Sequence, residues 1–263
     1  RCLREKEIDP NELMVSVLRS EKNLLRPLAE ALNRIFNMTM HVNRRFDTRS
    51  AFLPVRVIVP ADPVKLNQFD DLPRILDYLR KNDEHNFALL VDAYKQLFPQ
   101  IIDMTTRELE FKAKDLFPDI EIPEGRGYMR QEKEYRVFVL EKNRAHPMNI
   151  NALSDGAKRV LLLLTAAVVS KYNGISIIAL EEVENSIHPK LMDNLLSILR
   201  QLAGDCRIIV TSHSPYILQY MGLDDVYIGL PVPCGKAVFR TFSKKGVKEI
   251  LYEARERGVS VGD

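Results

Sequence analysis

The run Val160-Leu-Leu-Leu-Leu-Thr-Ala-Ala-Val-Val169 limits the fold more than any other stretch of the chain. Only Thr165 interrupts it, and Lys158, Arg159 and Lys171 flank it. A membrane-spanning helix needs about 20 apolar residues, so the run predicts a core helix and no membrane partner. A helix that is apolar all round must be covered on every side. Continuous apolar runs at residues 175–180 and 206–211 follow, separated by a helical pattern over 189–203. Short apolar runs alternating with helices predict a parallel sheet with helices on both faces. The last hundred residues therefore read as α/β.

The first half has a different texture. Helical spacing of apolar residues covers 11–36, 70–79 and 85–102. Alternating stretches at 55–60 and 135–140 predict strands, as does 107–112, and residues 117–133 predict a surface loop or hairpin. Towards the C terminus, strands are expected at 225–230 and 237–242, and helices from Ser214 and over 247–257. The reading divides the chain into a largely helical region, 1–134, and an α/β region, 135–263.

Composition narrows the function classes. Thirty-eight basic residues against 36 acidic ones leave a net charge of +2. That gives no support for a strongly basic nucleic-acid binder. The cluster Asn43, Arg44, Arg45 and Arg49 can contact DNA phosphates or serve as a solvated turn. Cys2, Cys206 and Cys234 have neither zinc-site spacing nor the count of a disulfide framework, and they read as reduced thiols.

Three segments carry chemistry. In Leu153-Ser154-Asp155-Gly156-Ala157-Lys158-Arg159, a serine caps a helix whose first-turn amides can meet an anion. The glycine permits close approach, and Lys158 and Arg159 add positive charge one turn in. In Ile177-Ile178-Ala179-Leu180-Glu181-Glu182, an apolar strand ends in two carboxylates that point different ways. One suits Mg²⁺ and the other an attacking water. In Ile208-Ile209-Val210-Thr211-Ser212-His213-Ser214-Pro215, a second buried strand is predicted to end at a histidine on the same sheet edge.

Together these segments resemble ABC-type ATPases. Ser154-Asp155-Gly156 resembles the signature motif, and Leu180-Glu181-Glu182 the Walker B end. Val183-Glu184-Asn185-Ser186-Ile187-His188-Pro189 resembles the D-loop, which also accounts for His188 beside Glu184. Thr211-Ser212-His213-Ser214-Pro215 resembles the switch-histidine loop. Their order agrees with that family, at intervals of roughly 25 to 30 residues. The nearest branch is the stand-alone AAA-like ABC-class ATPases, related to the ATPase domains of OLD-family nucleases, RecF and SMC proteins.

The resemblance implies a P-loop NTPase-like fold with a helical insertion or lever region. It implies two heads that sandwich ATP and Mg²⁺ as a homodimer. Ser154, Asp155, Gly156, Lys158, Arg159, Asn185 and Ser186 would lie along the nucleotide and dimer face. Glu181 would be associated with the metal, Glu182 would polarise water, and His213 would sense the γ-phosphate. The family's first acid is usually Asp, so the longer Glu181 is expected to shift the metal or hold it through water. A cytoplasmic role in DNA repair or phage defence is implied, with a nuclease or DNA as partners. No G-x-x-x-x-G-K-[ST] occurs; Gly229…Gly235-Lys236-Ala237 has the wrong spacing and no hydroxyl. The Walker A lobe is thus expected upstream of Arg1, and without it nucleotide binding is expected to be weak. The alternative is a non-catalytic scaffold that lends its signature motif in trans. No PD-(D/E)xK, HNH or Toprim constellation supports a nuclease activity of its own.

Overall fold

The computed structural model describes residues 39–42, 51–54, 56–59, 63–64, 66, 69–111, 131–173, 175–231, 237–241, 246 and 256. The helical pattern at 11–36, that at 247–257 apart from Glu256, the Asn43–Arg49 cluster, Cys2, Cys234 and the Gly235-Lys236 pair lie outside these residues.

The order is β1 (Thr39–Val42), β2 (Arg56–Val59), α1 (Leu72–Asn82), α2 (Glu84–Leu97), β3 (Ile101–Phe111), β4 (Gln131–Glu141) and β5 (Met148–Asn149). Then come α3 (Asp155–Tyr172), β6 (Ile177–Glu181), α4 (Pro189–Ala203), β7 (Arg207–Thr211), β8 (Tyr227–Pro231) and β9 (Ala237–Thr241). The fold is mixed α/β, as expected.

The parallel sheet has the order β1-β6-β7. Leu180 pairs with Val42 on one side and Val210 on the other. One of its three strands thus comes from the first half of the chain, where no strand is predicted at that position. The strand expected at 135–140 belongs instead to a second, antiparallel sheet, β2-β4-β3, with β5 on β4. The division at residue 134 falls inside β4, which pairs with β3 from Phe111↔Glu132 to Ile101↔Glu141. The hairpin β8–β9 is separate.

Helix α3 is the centre. Every residue from Ala157 to Ser170 is buried, as an all-round apolar helix requires. Thr165 and Ser170 satisfy their hydroxyls on the helix's own carbonyls, Leu161 O and Ala167 O. Helices α1 and α2 pack onto this centre. Leu76, Leu79, Leu90 and Tyr94 share one apolar cluster with α3 and α4. The Tyr94 hydroxyl donates to Ala157 O at 3.1 Å and fixes α2 on the first turn of α3. Burial pushes the Tyr94 phenol far above its usual range.

Strand β7 departs from the expectation of a buried strand. Its residues alternate between exposed and half-buried, and Ile209 is 53% exposed. It lies at the end of the described strand order, which explains a strand covered mainly on one face.

Candidate functional site

Strands β6 and β7 run parallel with Glu181 opposite Thr211. Their carboxyl ends therefore emerge together, where α/β sheets place ligands. The Glu182 N–H donates to Thr211 O at 2.8 Å, and Glu182 O accepts from Asn185 N at 2.9 Å. These bonds hold Glu182 at φ 45°, in the left-handed region. Ser186, at the far side of the same turn, has φ 63°. Each such residue costs about 1–2 kcal/mol, a strain typical of functional turns. His213 Nε2 lies 3.7 Å from Glu182 Oε1. The imidazole is 88% exposed, whereas the Glu182 side chain is 19% exposed.

The first turn of α3 meets this turn from below. Ser154 Oγ accepts from Ala157 N at 3.2 Å and caps the helix. Asp155 pairs with Lys158 Nζ at 2.8 Å. Arg159 turns inward, and its Nη2 donates to Glu181 O at 3.1 Å. Burial lowers its basicity, and the charges of Glu181 and Glu182 oppose that effect. Lys158 and Arg159, read as positive charge one turn into the helix, are interior: Lys158 is 4% exposed and Arg159 3%. The reason is tertiary: α3 is covered on all sides from Ala157 to Ser170, and Arg159 reaches across to the end of β6.

Gly156 sits directly against Ser186, whose carbonyl oxygen would overlap any Cβ there. The structure thus brings the Ser154–Arg159 and Glu181–Ser186 segments together within one chain. Asn185 and Ser186 are exposed, with Ser186 Oγ donating to Asn185 Oδ1 at 3.3 Å. His188 caps α4, its Nδ1 accepting from Lys190 N at 3.2 Å, which gives this histidine a structural duty.

Two contacts escaped the sequence reading. One is Tyr94 on Ala157 O. The other is Glu184, whose Oε1 accepts from Ser212 Oγ at 2.6 Å. The signal for it was present in the acidic residue two places beyond Glu182 and the hydroxyl beside His213, but only the parallel register joins them. Cys206, the one described cysteine, is a free thiol that burial makes less acidic.

Among the described residues, no group of three His, Cys, Asp or Glu side chains could hold a metal alone. Mg²⁺ does not need one, since it keeps waters and takes one or two carboxylates beside phosphate oxygens. Half-buried Glu181 and Glu182 at the strand end fit that donor type. No helix among the described residues is long and apolar enough to cross a membrane.

The chain is an ATPase-type domain. The family described as "AAA domain, putative AbiEii toxin, Type IV TA system" matches residues 16–219, and the chain belongs to that family. Among solved structures, the chain is similar to one from work on ATP-driven dimerization and DNA-stimulated activation of SMC ATPases. The identity is 13% and the TM-score 0.41, over 68% of this chain and 95% of that one. It is also similar to the Smc head domain of Pyrococcus furiosus with an extended coiled coil, bound to the C-terminal domain of ScpA. There the identity is 12% and the TM-score 0.44, over 91% of this chain and 47% of that one. An Smc head bound to the C-winged helix domain of ScpA gives 12% and 0.44, with 67% and 51% covered. The chain spans about half the length of the two ScpA-bound heads.

Proposed function

We propose that this chain is the signature- and Walker B-bearing part of an ATP-hydrolysing head of the ABC class. The observation that carries the reading is the approach of His213 Nε2 to Glu182 Oε1, 3.7 Å apart at neighbouring parallel strand ends. A carboxylate and an imidazole converging there suit water activation beside a phosphate. Glu182 accepts a hydrogen bond from the attacking water and orients it. His213 bonds the terminal phosphate from the open side. Glu181 gives an oxygen to the metal, directly or through water. Bound ATP with Mg²⁺ supplies the phosphoryl group and the charge neutralisation.

Ser154, Asp155, Gly156, Asn185 and Ser186 form the face offered to a nucleotide held by a second copy. Lys158 and Arg159 act from the interior: Lys158 holds Asp155, and Arg159 holds the end of β6. The homodimer, a cytoplasmic setting and a place in DNA repair or phage defence belong to the same proposal, and so does a DNA or nuclease partner. The toxin–antitoxin wording of the family supports the defence side.

The test is Glu182→Gln in the full-length protein. ATP turnover is expected to vanish, while ATP binding persists and dimers accumulate on sizing. Unchanged hydrolysis would overturn the assignment.

A further inference from the structure

His213 is exposed, so little packing holds its imidazole in place. Its chain neighbours do the holding. Ser212 Oγ accepts from Ser214 N at 2.9 Å, which folds the backbone tightly around His213. The same oxygen lies 3.3 Å from Ser214 O. Ser212 Oγ then donates to Glu184 Oε1 at 2.6 Å. Glu184 belongs to the turn that sets Glu182, with Ile187 N donating to Glu184 O at 3.1 Å. The two loops that carry Glu182 and His213 are thus joined by one side-chain hydrogen bond across a separation of 28 residues.

The second oxygen of this carboxylate gives a further clue. Glu184 Oε2 is buried and has no hydrogen-bond donor among the described residues. Burying a carboxylate with one oxygen unserved is unfavourable, and an apolar side chain would pack the same space at lower cost. A glutamate here is therefore poorly explained by packing. It is well explained by the need for a strong acceptor that fixes the hydroxyl beside His213, because charge-assisted bonds of this length are the firm ones.

We propose that Glu184 is a positioning residue, which fastens the His213 loop to the Glu182 turn through the Ser212 hydroxyl. The inference rests on the roles given above to Glu182 and His213. Glu184 touches neither nucleotide nor water. It keeps the imidazole and the Glu182 carboxylate at a fixed separation, so its loss is felt in turnover more than in binding.

The test is steady-state hydrolysis of ATP with Mg²⁺ by the full-length protein, with thermal melting followed in parallel. Glu184→Ala and Ser212→Ala are each expected to lower kcat about 10- to 100-fold, with KM moving less than about threefold, as misplacement of a catalytic group does. The double variant is expected to be no worse than the poorer single one, because both remove the same tie. Ser212→Thr, which keeps the hydroxyl, is expected to recover most of the lost kcat. Ser212→Ala deletes a single oxygen and carries the test if Glu184→Ala does not fold. Wild-type kcat in Ser212→Ala, losses that multiply in the double variant, or a rise in KM alone would each overturn the proposal. Glu182→Gln separates the two levels. Dead Glu182→Gln beside unimpaired Ser212→Ala overturns this inference alone, and active Glu182→Gln overturns the reading beneath it.

Discussion

Gly156 lies so close to Ser186 that a Cβ on the glycine would overlap the Ser186 carbonyl oxygen. The first turn of α3 and the turn after β6 therefore bear on each other through bare backbone. On helix propensity alone, Gly156→Ala would stabilise α3 by about 1 kcal/mol. The contact reverses the sign, because the Ser186 peptide must move or α3 must tilt. A net loss of about 1–2 kcal/mol is expected, the size of an overpacking penalty. Chemical denaturation measures it. Catalytic activity in the full-length protein should fall further than stability does, since the displaced turn begins at Glu182.

Ser186 itself makes an opposite prediction. Its φ of 63° is left-handed, and among the described residues its hydroxyl bonds to the neighbouring Asn185 side chain on the surface. Glycine adopts this conformation without the Cβ clash. Ser186→Gly should therefore raise stability by about 0.5–1 kcal/mol. A lower denaturation midpoint would show that the Ser186 hydroxyl contributes more than the backbone relief.

Arg159 tests whether the interior basic pair supports the sheet edge. Its guanidinium is buried and donates to Glu181 O, the last carbonyl of β6. Arg159→Met keeps much of the volume but removes the positive charge beside Glu181 and Glu182. Losing a hydrogen bond made by a charged group to the half-buried end of a strand costs about 1.5–3 kcal/mol. Thermal or urea unfolding should reveal a loss of that order. Arg159→Lys should recover only part of it, because an ammonium lacks the planar fork that reaches the strand end.

The α/β half was legible because its signals are local. The apolar run at 160–169 could only be a central helix. Ser154 caps that helix, and Pro189 opens α4 after the His188 cap. Strand β1 was not legible: Thr39–Val42 has four residues, and what makes it a strand is pairing with β6, about 140 positions away. The helix read over 85–102 stops at Leu97, since Pro99 disfavours helical backbone at Phe98, and Ile101 and Ile102 pass into β3. At the candidate site, the sequence proposed residues but not the directions of their side chains. That Arg159 turns in and that Glu184 reaches Ser212 are tertiary facts, set by the register of β6 against β7.

The network between α1 and the antiparallel sheet predicts how stability responds to acid. Asp77 is buried, with a side-chain exposure of 3%. It accepts from Thr106 Oγ1 at 2.7 Å and pairs with Lys81 at 2.7 Å and Arg80 at 3.1 Å. Burial alone raises its pKa, but the bonds from Lys81, Thr106 and Arg80 together outweigh burial and leave it below the ordinary carboxylate value. Glu108, held by Lys133 and then by Lys81, is lowered as well. For a group whose folded pKa is depressed, the unfolded chain binds the proton first as pH falls. The stabilisation is complete above the unfolded value, near 4, and disappears as pH drops through the lower folded value. Unfolding free energy should therefore be flat near neutrality from these two groups and decline below about pH 5. Asp77→Asn should lower stability at pH 7 by about 1–3 kcal/mol and make the acid decline shallower. Urea titrations of both proteins from pH 7 to pH 3 provide the comparison. Parallel decline in the two would mean that Asp77 contributes none of the acid sensitivity.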